Sequence, residues 1–229
     1  PGSDPAEVSR EDVVRARLVR QFGEDADIEL VWVGPYAYRS VCVPHMRAGR
    51  VFFSGDTAKV VSPFGARGGN SGIADADNLA WKLAAVHGGR AHASLLETYH
   101  DERHEAARQN VLVTNRTARF LRPADGIERR FRQATLALAR RHPFARQLVN
   151  TGRMAVANTY TQSPACGKSG GQSVQNVAIE WADGSTGTLN DLVRWAAGRL
   201  LLLVFGDMDA EPIRRVQELA RMAPLVAVQ

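Results

Sequence analysis

Lysine is nearly absent from this chain. Of its 29 basic residues only Lys59, Lys82 and Lys168 are lysines, so the formal charge of +5 rests on arginines scattered among acids. That dispersal argues against a nucleic-acid groove, which gathers its cations on one face. Cysteine is equally scarce. Cys42 and Cys166 stand far apart, without metal-ligand spacing, and read as ordinary thiols, one in a strand and one in a loop. No apolar run approaches the roughly 18–20 residues of a membrane helix. The opening PGSDPAEVSRED is neither basic nor apolar, so no signal peptide is expected and the cytoplasm is the default compartment. His100 and His104 lie one helical turn apart, yet no third ligand has suitable spacing, so His87, His92, His100 and His104 read as helix-surface residues and no metal is expected. A hydrophobic content of 45% is enough for a buried core.

The most informative stretch runs from Arg50 to Lys82. Val51-Phe52-Phe53 fits a buried strand, Ser54-Gly55-Asp56 breaks it, and a helix is expected from Ile73 with an apolar stripe of Ile73, Ala76, Ala80, Leu83 and Ala84. Between them, Gly65, Gly68, Gly69 and Gly72 let the backbone turn and can leave successive N–H groups facing an anionic or carbonyl oxygen. Asp56, just past a strand end, suits hydroxyl donors such as those of a ribitol. The same composition also fits a tight connection that holds no ligand.

In order, these residues resemble the second FAD-binding motif of the class A flavin-dependent aromatic hydroxylases, which have the p-hydroxybenzoate hydroxylase fold. Gly55-Asp56 matches the pair whose carboxylate holds the ribitol. Pro63, Phe64, Gly65, Gly68, Gly69, Asn70, Ser71 and Gly72 match the loop against the isoalloxazine ring, and Asp75 to Lys82 the helix that follows. The resemblance implies that Pro63 to Gly65 shape the reactive face of the flavin. It also implies that Gly68 to Gly72 stabilise negative charge on the ring through backbone N–H groups at a helix start. Lys59 departs from the family, which commonly has histidine there; it either reaches a flavin phosphate or sits in solvent.

Upstream, Ser9 and Asp12 form an imperfect capping box before a helix with Val14, Leu18 and Phe22 on one face. Ile28–Val33 and Tyr36–Pro44 read as strands. Trp32 and Tyr38 either line an aromatic substrate pocket or pack in a sheet. Downstream, Leu95 to Leu121 is a long helix whose stripe includes two polar exceptions, Arg103 and Asn110, which need partners if buried. Another helical run from Glu128 stops or kinks near His142-Pro143. Thr151 to Val174 has the composition of a linker or wrapping arm. Beyond it come a strand at Val177–Trp181, a helix from Leu189 capped by Thr188 and Asp191, an apolar strand from Leu200 to Phe205, a helix at 211–220 and a strand at Leu225–Val228. This βαβ order implies a parallel sheet. The tail resembles the thioredoxin-like module of phenol and 3-hydroxyphenylpropionate hydroxylases, but Gly206 to Asp209 lacks the cysteine pair of a redox site.

The expected fold is therefore α/β: residues 1–49 end a substrate domain, 50–150 are part of an FAD-binding domain, 151–174 are a linker, and 175–229 are an incomplete thioredoxin-like domain. No GxGxxG follows a strand, so a further flavin-domain segment or partner chain is implied. The resemblance implies the C-terminal portion of a monooxygenase that uses FAD, with NADPH or NADH as reductant, to hydroxylate an aromatic small molecule through a flavin hydroperoxide. Homo-oligomerisation is open. Two alternatives stand beside it, a flavin oxidoreductase that does not hydroxylate and a non-catalytic assembly fragment.

Overall fold

The computed structural model describes residues 4–36, 39–149, 157–168, 170–181, 183–197, 200–203, 214, 218 and 225–228. Its contacts separate residues 1–39 from 40–229. In the first unit, α1 (Pro5–Val8) is capped by the Asp4 side chain, and α2 (Glu11–Phe22) follows. Ser9 closes α1, its hydroxyl donating to the Pro5 carbonyl at 2.6 Å, so the expected capping box at α2 does not form. A proline at the first helical position makes α1 a self-sufficient turn and takes Ser9 for its end. Val14 and Leu18 are half-buried while Phe22 is exposed. Residues 28–36 contain no strand. Burial has nothing to act on there, because Val31, Trp32 and Tyr36 all face solvent.

The second unit opens with β1 (Val41–Cys42) and then β2 (Arg47–Ala48), β3 (Val51–Phe52) and β4 (Lys59–Val60). β1 pairs antiparallel with β4, Cys42 opposite Lys59, and β2 with β3, Arg47 opposite Phe52. The strand at β3 is not buried on both faces as its apolar run suggests. Val51 is exposed, while Phe52 turns inward and meets the Tyr99 ring edge-on at 5.8 Å. Met46, Ala58, Tyr99 and Ala107 form the core here, with Cys42, Val43, Phe53 and Leu79 packed around them.

Two long helices carry the unit, α3 (Arg67–His87) and α4 (Glu97–Leu121). α3 begins six residues before the expected Ile73, so Gly68, Gly69 and Gly72 lie inside it. Glycine costs helix stability, and at Gly72 a Cβ would make an ordinary contact with the turn, 3.5 Å from the Gly55 Cα. The face that α3 buries is also not the expected one. Arg67, Ser71, Asp75, Asn78 and Lys82 are buried, whereas Ile73, Ala76, Ala80, Leu83 and Ala84 are exposed. α5 (Ile127–Arg141) and α6 (Pro143–Val149) break at His142-Pro143 as expected, where proline removes an N–H donor.

In the tail, β5 (Ala178–Glu180) pairs antiparallel with β6 (Thr186–Thr188). The Thr188–Asp191 capping box forms at the start of α7 (Leu189–Ala196). β7 (Leu200–Leu203) runs parallel to β8 (Leu225–Val228), as the βαβ pattern predicts. Gly206 to Asp209 and most of 211–220 lie outside the described residues.

Candidate functional site: a turn and a helix start braced by buried charge

Gly55–Thr57 forms a 3-10 turn closed by reciprocal bonds between Ser54 and Thr57. Gly55 sits at φ +61°, a conformation that favours glycine. Its N–H donates to the Asp75 carboxylate at 2.9 Å, which ties the turn to α3. Asp56 is exposed, and its carboxylate makes no hydrogen bond among the described residues. The turn thus holds one carboxylate out toward solvent next to the second turn of α3.

Asp75 is fully buried and satisfied on both oxygens. One accepts from Gly55 and from the Lys59 ammonium, the other from Arg103 Nε at 2.7 Å. Neither expected role of Lys59 holds, since it is buried and paired with Asp75. The reason is geometric: β4 points the residue inward, where a buried ammonium needs a carboxylate. Arg103 continues outward to Tyr160 Oη at 2.7 Å and to the Ser71 carbonyl at 3.3 Å. Burial alone would lower the Arg103 pKa, but Tyr160 and Asp75 outweigh it and hold the guanidinium in its charged form.

A second buried set lies along the same two helices. Glu102 accepts from Lys82 at 2.7 Å, from Asn78 at 2.5 Å and from Ser163 at 2.7 Å. Burial raises the Glu102 pKa, but those three donors bring it below the ordinary carboxylate value, while burial lowers that of Lys82. Arg67 donates to Asn110 at 2.5 Å, and Asn110 donates to Ser71 at 3.2 Å. The polar exceptions Arg103 and Asn110 therefore have their partners. Among the described residues, Lys59, Arg67, Lys82 and Arg103 are buried against only two buried carboxylates, Asp75 and Glu102. Asp75 and Glu102 each answer a buried lysine, Lys59 and Lys82, and Asp75 also answers Arg103.

At the start of α3, Ala66 caps the helix from the left-handed region at φ 52° and makes no side-chain cap bond. The first N–H groups of an α-helix lack intrahelical partners, and Gly68 and Gly69 stand in that first turn. A Cβ on Gly69 would meet nothing within 4 Å, so this end is open. Gly65, at φ +102°, precedes it, and Asn70 reaches back to the Ala66 carbonyl at 2.8 Å. Ser62, fully buried just before Pro63, has a hydroxyl oxygen without a partner among the described residues. The donor set fits an anionic or carbonyl-bearing ring at the helix start, and Asp56 fits a polyol.

The structure thus brings Gly55, Asp56 and Gly72 together and continues through Ser71, Asn70, Gly69 and Gly68 to the 63–65 segment. Trp32 lies in the first unit with 77% of its surface exposed, folded over Gly34, and Tyr38 is outside the described residues. The sequence reading did not anticipate Glu102 or Tyr160 as parts of the supporting network. The one available signal was Arg103 itself, a charge on an apolar stripe.

Fold and sequence together define the class. Residues 2–114 match the family described as FAD binding domain, and the chain resembles the C-terminal part of the class A FAD-dependent aromatic hydroxylases. Among particular relatives, the 3-(3-hydroxy-phenyl)propionate/3-hydroxycinnamic acid hydroxylase of Burkholderia cenocepacia (strain HI2424) is 29% identical over 84% of this chain and 36% of its own length. Tetracenomycin B2 monooxygenase-dioxygenase of Streptomyces olivaceus is 36% identical over 68% of this chain and 25% of its own. The anhydrotetracycline hydroxylase OxyS from Streptomyces rimosus superposes with a TM-score of 0.70 at 28% identity, over 95% of this chain and 43% of that one. The rebeccamycin biosynthetic enzyme RebC, solved with reduced flavin, gives 0.67 at 27% identity over 93% and 43%. The chain thus spans about a third or less of these curated relatives.

Proposed function

We propose that this chain supplies part of the FAD site of a monooxygenase that uses NADPH or NADH to hydroxylate a phenolic or other aromatic substrate. The observation that carries the reading is the Gly55–Asp56 turn, locked onto Asp75 while the Asp56 carboxylate stays in solvent beside α3. Asp56 would accept from the ribityl hydroxyls. The N–H groups of Gly68 and Gly69 would face the electron-rich end of the ring, where the start of a helix favours negative charge. Pro63 to Gly65 would set the approach to the ring. FAD, when bound, supplies electron transfer from the nicotinamide and activation of oxygen, while the protein binds, orients and excludes water. The names of the relatives, a 3-(3-hydroxy-phenyl)propionate/3-hydroxycinnamic acid hydroxylase and a putative polyketide hydroxylase among them, support an aromatic substrate.

The four-part division at 49/50, 150/151 and 174/175, with a non-redox thioredoxin-like tail, is part of the same proposal. The parallel β7–β8 pair supports it, as does the length of the relatives, which leaves room for a further flavin-domain segment. A substrate role for Trp32 and Tyr38 belongs here too.

FAD titration followed by flavin fluorescence tests the site. Saturable binding that weakens about tenfold in Asp56→Ala is expected, the loss of a charge-assisted hydrogen bond. Equal affinity in the variant would remove Asp56 from the site. Hydroxylation is tested on the full-length protein, where NADPH or NADH oxidation should yield hydroxylated product; reduced oxygen without product would favour a non-hydroxylating oxidoreductase.

A further inference from the structure

Residues 158–163 lie along α4 and bond to it at almost every position. Asn158 donates to Gln109 and Asn110, both at 3.1 Å; the Thr159 carbonyl accepts from Gln109 at 2.7 Å; Thr161 N donates to Glu105 at 2.8 Å. Ser163, itself buried, closes on Glu102. In the middle of this strap Tyr160 accepts from Arg103. We propose that Tyr160 is a positioning residue for the Gly55–Asp56 turn, acting through Arg103 and Asp75. Its consequence for cofactor affinity rests on the flavin reading; its effect on the turn does not.

Tyr160 Oη takes one guanidinium nitrogen of Arg103, and the Nε of the same planar group holds one Asp75 oxygen, whose other oxygen accepts the Gly55 N–H. A planar guanidinium has little freedom to turn without breaking one of these bonds. The orientation of Asp75, and with it the turn, is therefore set from the far end of the relay. Tyr160 is itself pinned, its N–H donating to the Gly171 carbonyl at 2.9 Å. Gly171 stands at φ +80°, and a Cβ there would lie 2.0 Å from the Tyr160 carbonyl oxygen, so only glycine closes this loop. The strap's hydroxyls at Tyr160 and Ser163 are engaged with Arg103 and Glu102, so its effect is to hold the loop that would hold the cofactor.

Tyr160→Phe keeps the ring over Arg103 and deletes only the acceptor. Hydrogen–deuterium exchange is expected to quicken about tenfold at the Gly55 amide while amides in α5 keep their wild-type rates, and FAD titration should show a matching loss of affinity. Gly171→Ala, which displaces Tyr160 by its backbone, should reproduce the quickened exchange at Gly55. Unchanged exchange at Gly55 in Tyr160→Phe, or exchange that quickens equally in α5, overturns the proposal. If wild-type protein binds no FAD, the flavin reading falls, and the Gly55 amide still decides whether Tyr160 positions the turn.

Discussion

Asp75 joins three partners, the Gly55 N–H, Lys59 and Arg103. It compensates two buried cations and holds a backbone N–H, so Asp75→Asn leaves Lys59 and Arg103 uncompensated and is expected to cost about 3–5 kcal/mol in urea unfolding. Lys59→Met removes one cation from the pair of cations on Asp75, leaves the Arg103–Asp75 bridge intact, and should cost clearly less. Equal costs would mean that the two cations are not sharing one carboxylate. His104 supplies a pH dependence. Burial lowers its pKa below 6.5, with His100, Arg108 and His45 adding to the effect. A group whose folded pKa is depressed stabilises the fold above its unfolded pKa and loses that contribution as pH falls through the folded value. Stability should therefore drop as pH is lowered from about 7.5 toward 5.5, and the drop should shrink in His104→Gln. An unchanged slope in the variant would remove His104 as the source.

At the scale of elements, the contact of α3 with the 3-10 turn is glycine on glycine. Gly72→Ala would place a methyl group at ordinary van der Waals distance from Gly55, so folding stability should hold or rise by up to about 1 kcal/mol through helix propensity. Gly72→Val brings branched methyl groups into the turn and should weaken FAD binding while the far-ultraviolet circular dichroism is retained. If both variants bind FAD like wild type, close approach at this contact is not needed. Element types were legible in the sequence wherever local chemistry decides them: α4 by its three-four spacing, the break at Pro143, the Thr188–Asp191 cap and the apolar run at Leu200. The buried face of α3 was not. Hydrophobic periodicity selects the stripe that lowers transfer free energy most, and here the inward stripe is polar because α4 offers matching charges. Residues 28–36 mislead for the converse reason, since strand-forming side chains pair only where a neighbouring strand is present.

For the whole molecule, the proposed flavin site, with Asp56 exposed at its turn, predicts linkage to FAD. A ligand that binds only the folded chain raises stability by about 2.7 kcal/mol at one hundred times its Kd, so saturating FAD should raise the thermal midpoint, and Asp56→Ala should reduce the rise. A midpoint indifferent to FAD would count against the flavin reading. Among the described residues no helix is long and apolar enough to cross a membrane.

The order Gly55-Asp56, Pro63 to Gly72 and Asp75 to Lys82 was enough, as sequence, to place the chain beside the flavin-dependent hydroxylases, because a backbone that must turn tightly against a ligand tolerates few residue types in a strict order. The partners of Lys59, Arg103 and Tyr160 were decided only by tertiary structure. Buried charges choose among carboxylates tens of residues away in the chain, and that choice depends on distance and desolvation, neither of which leaves a periodic trace in the sequence.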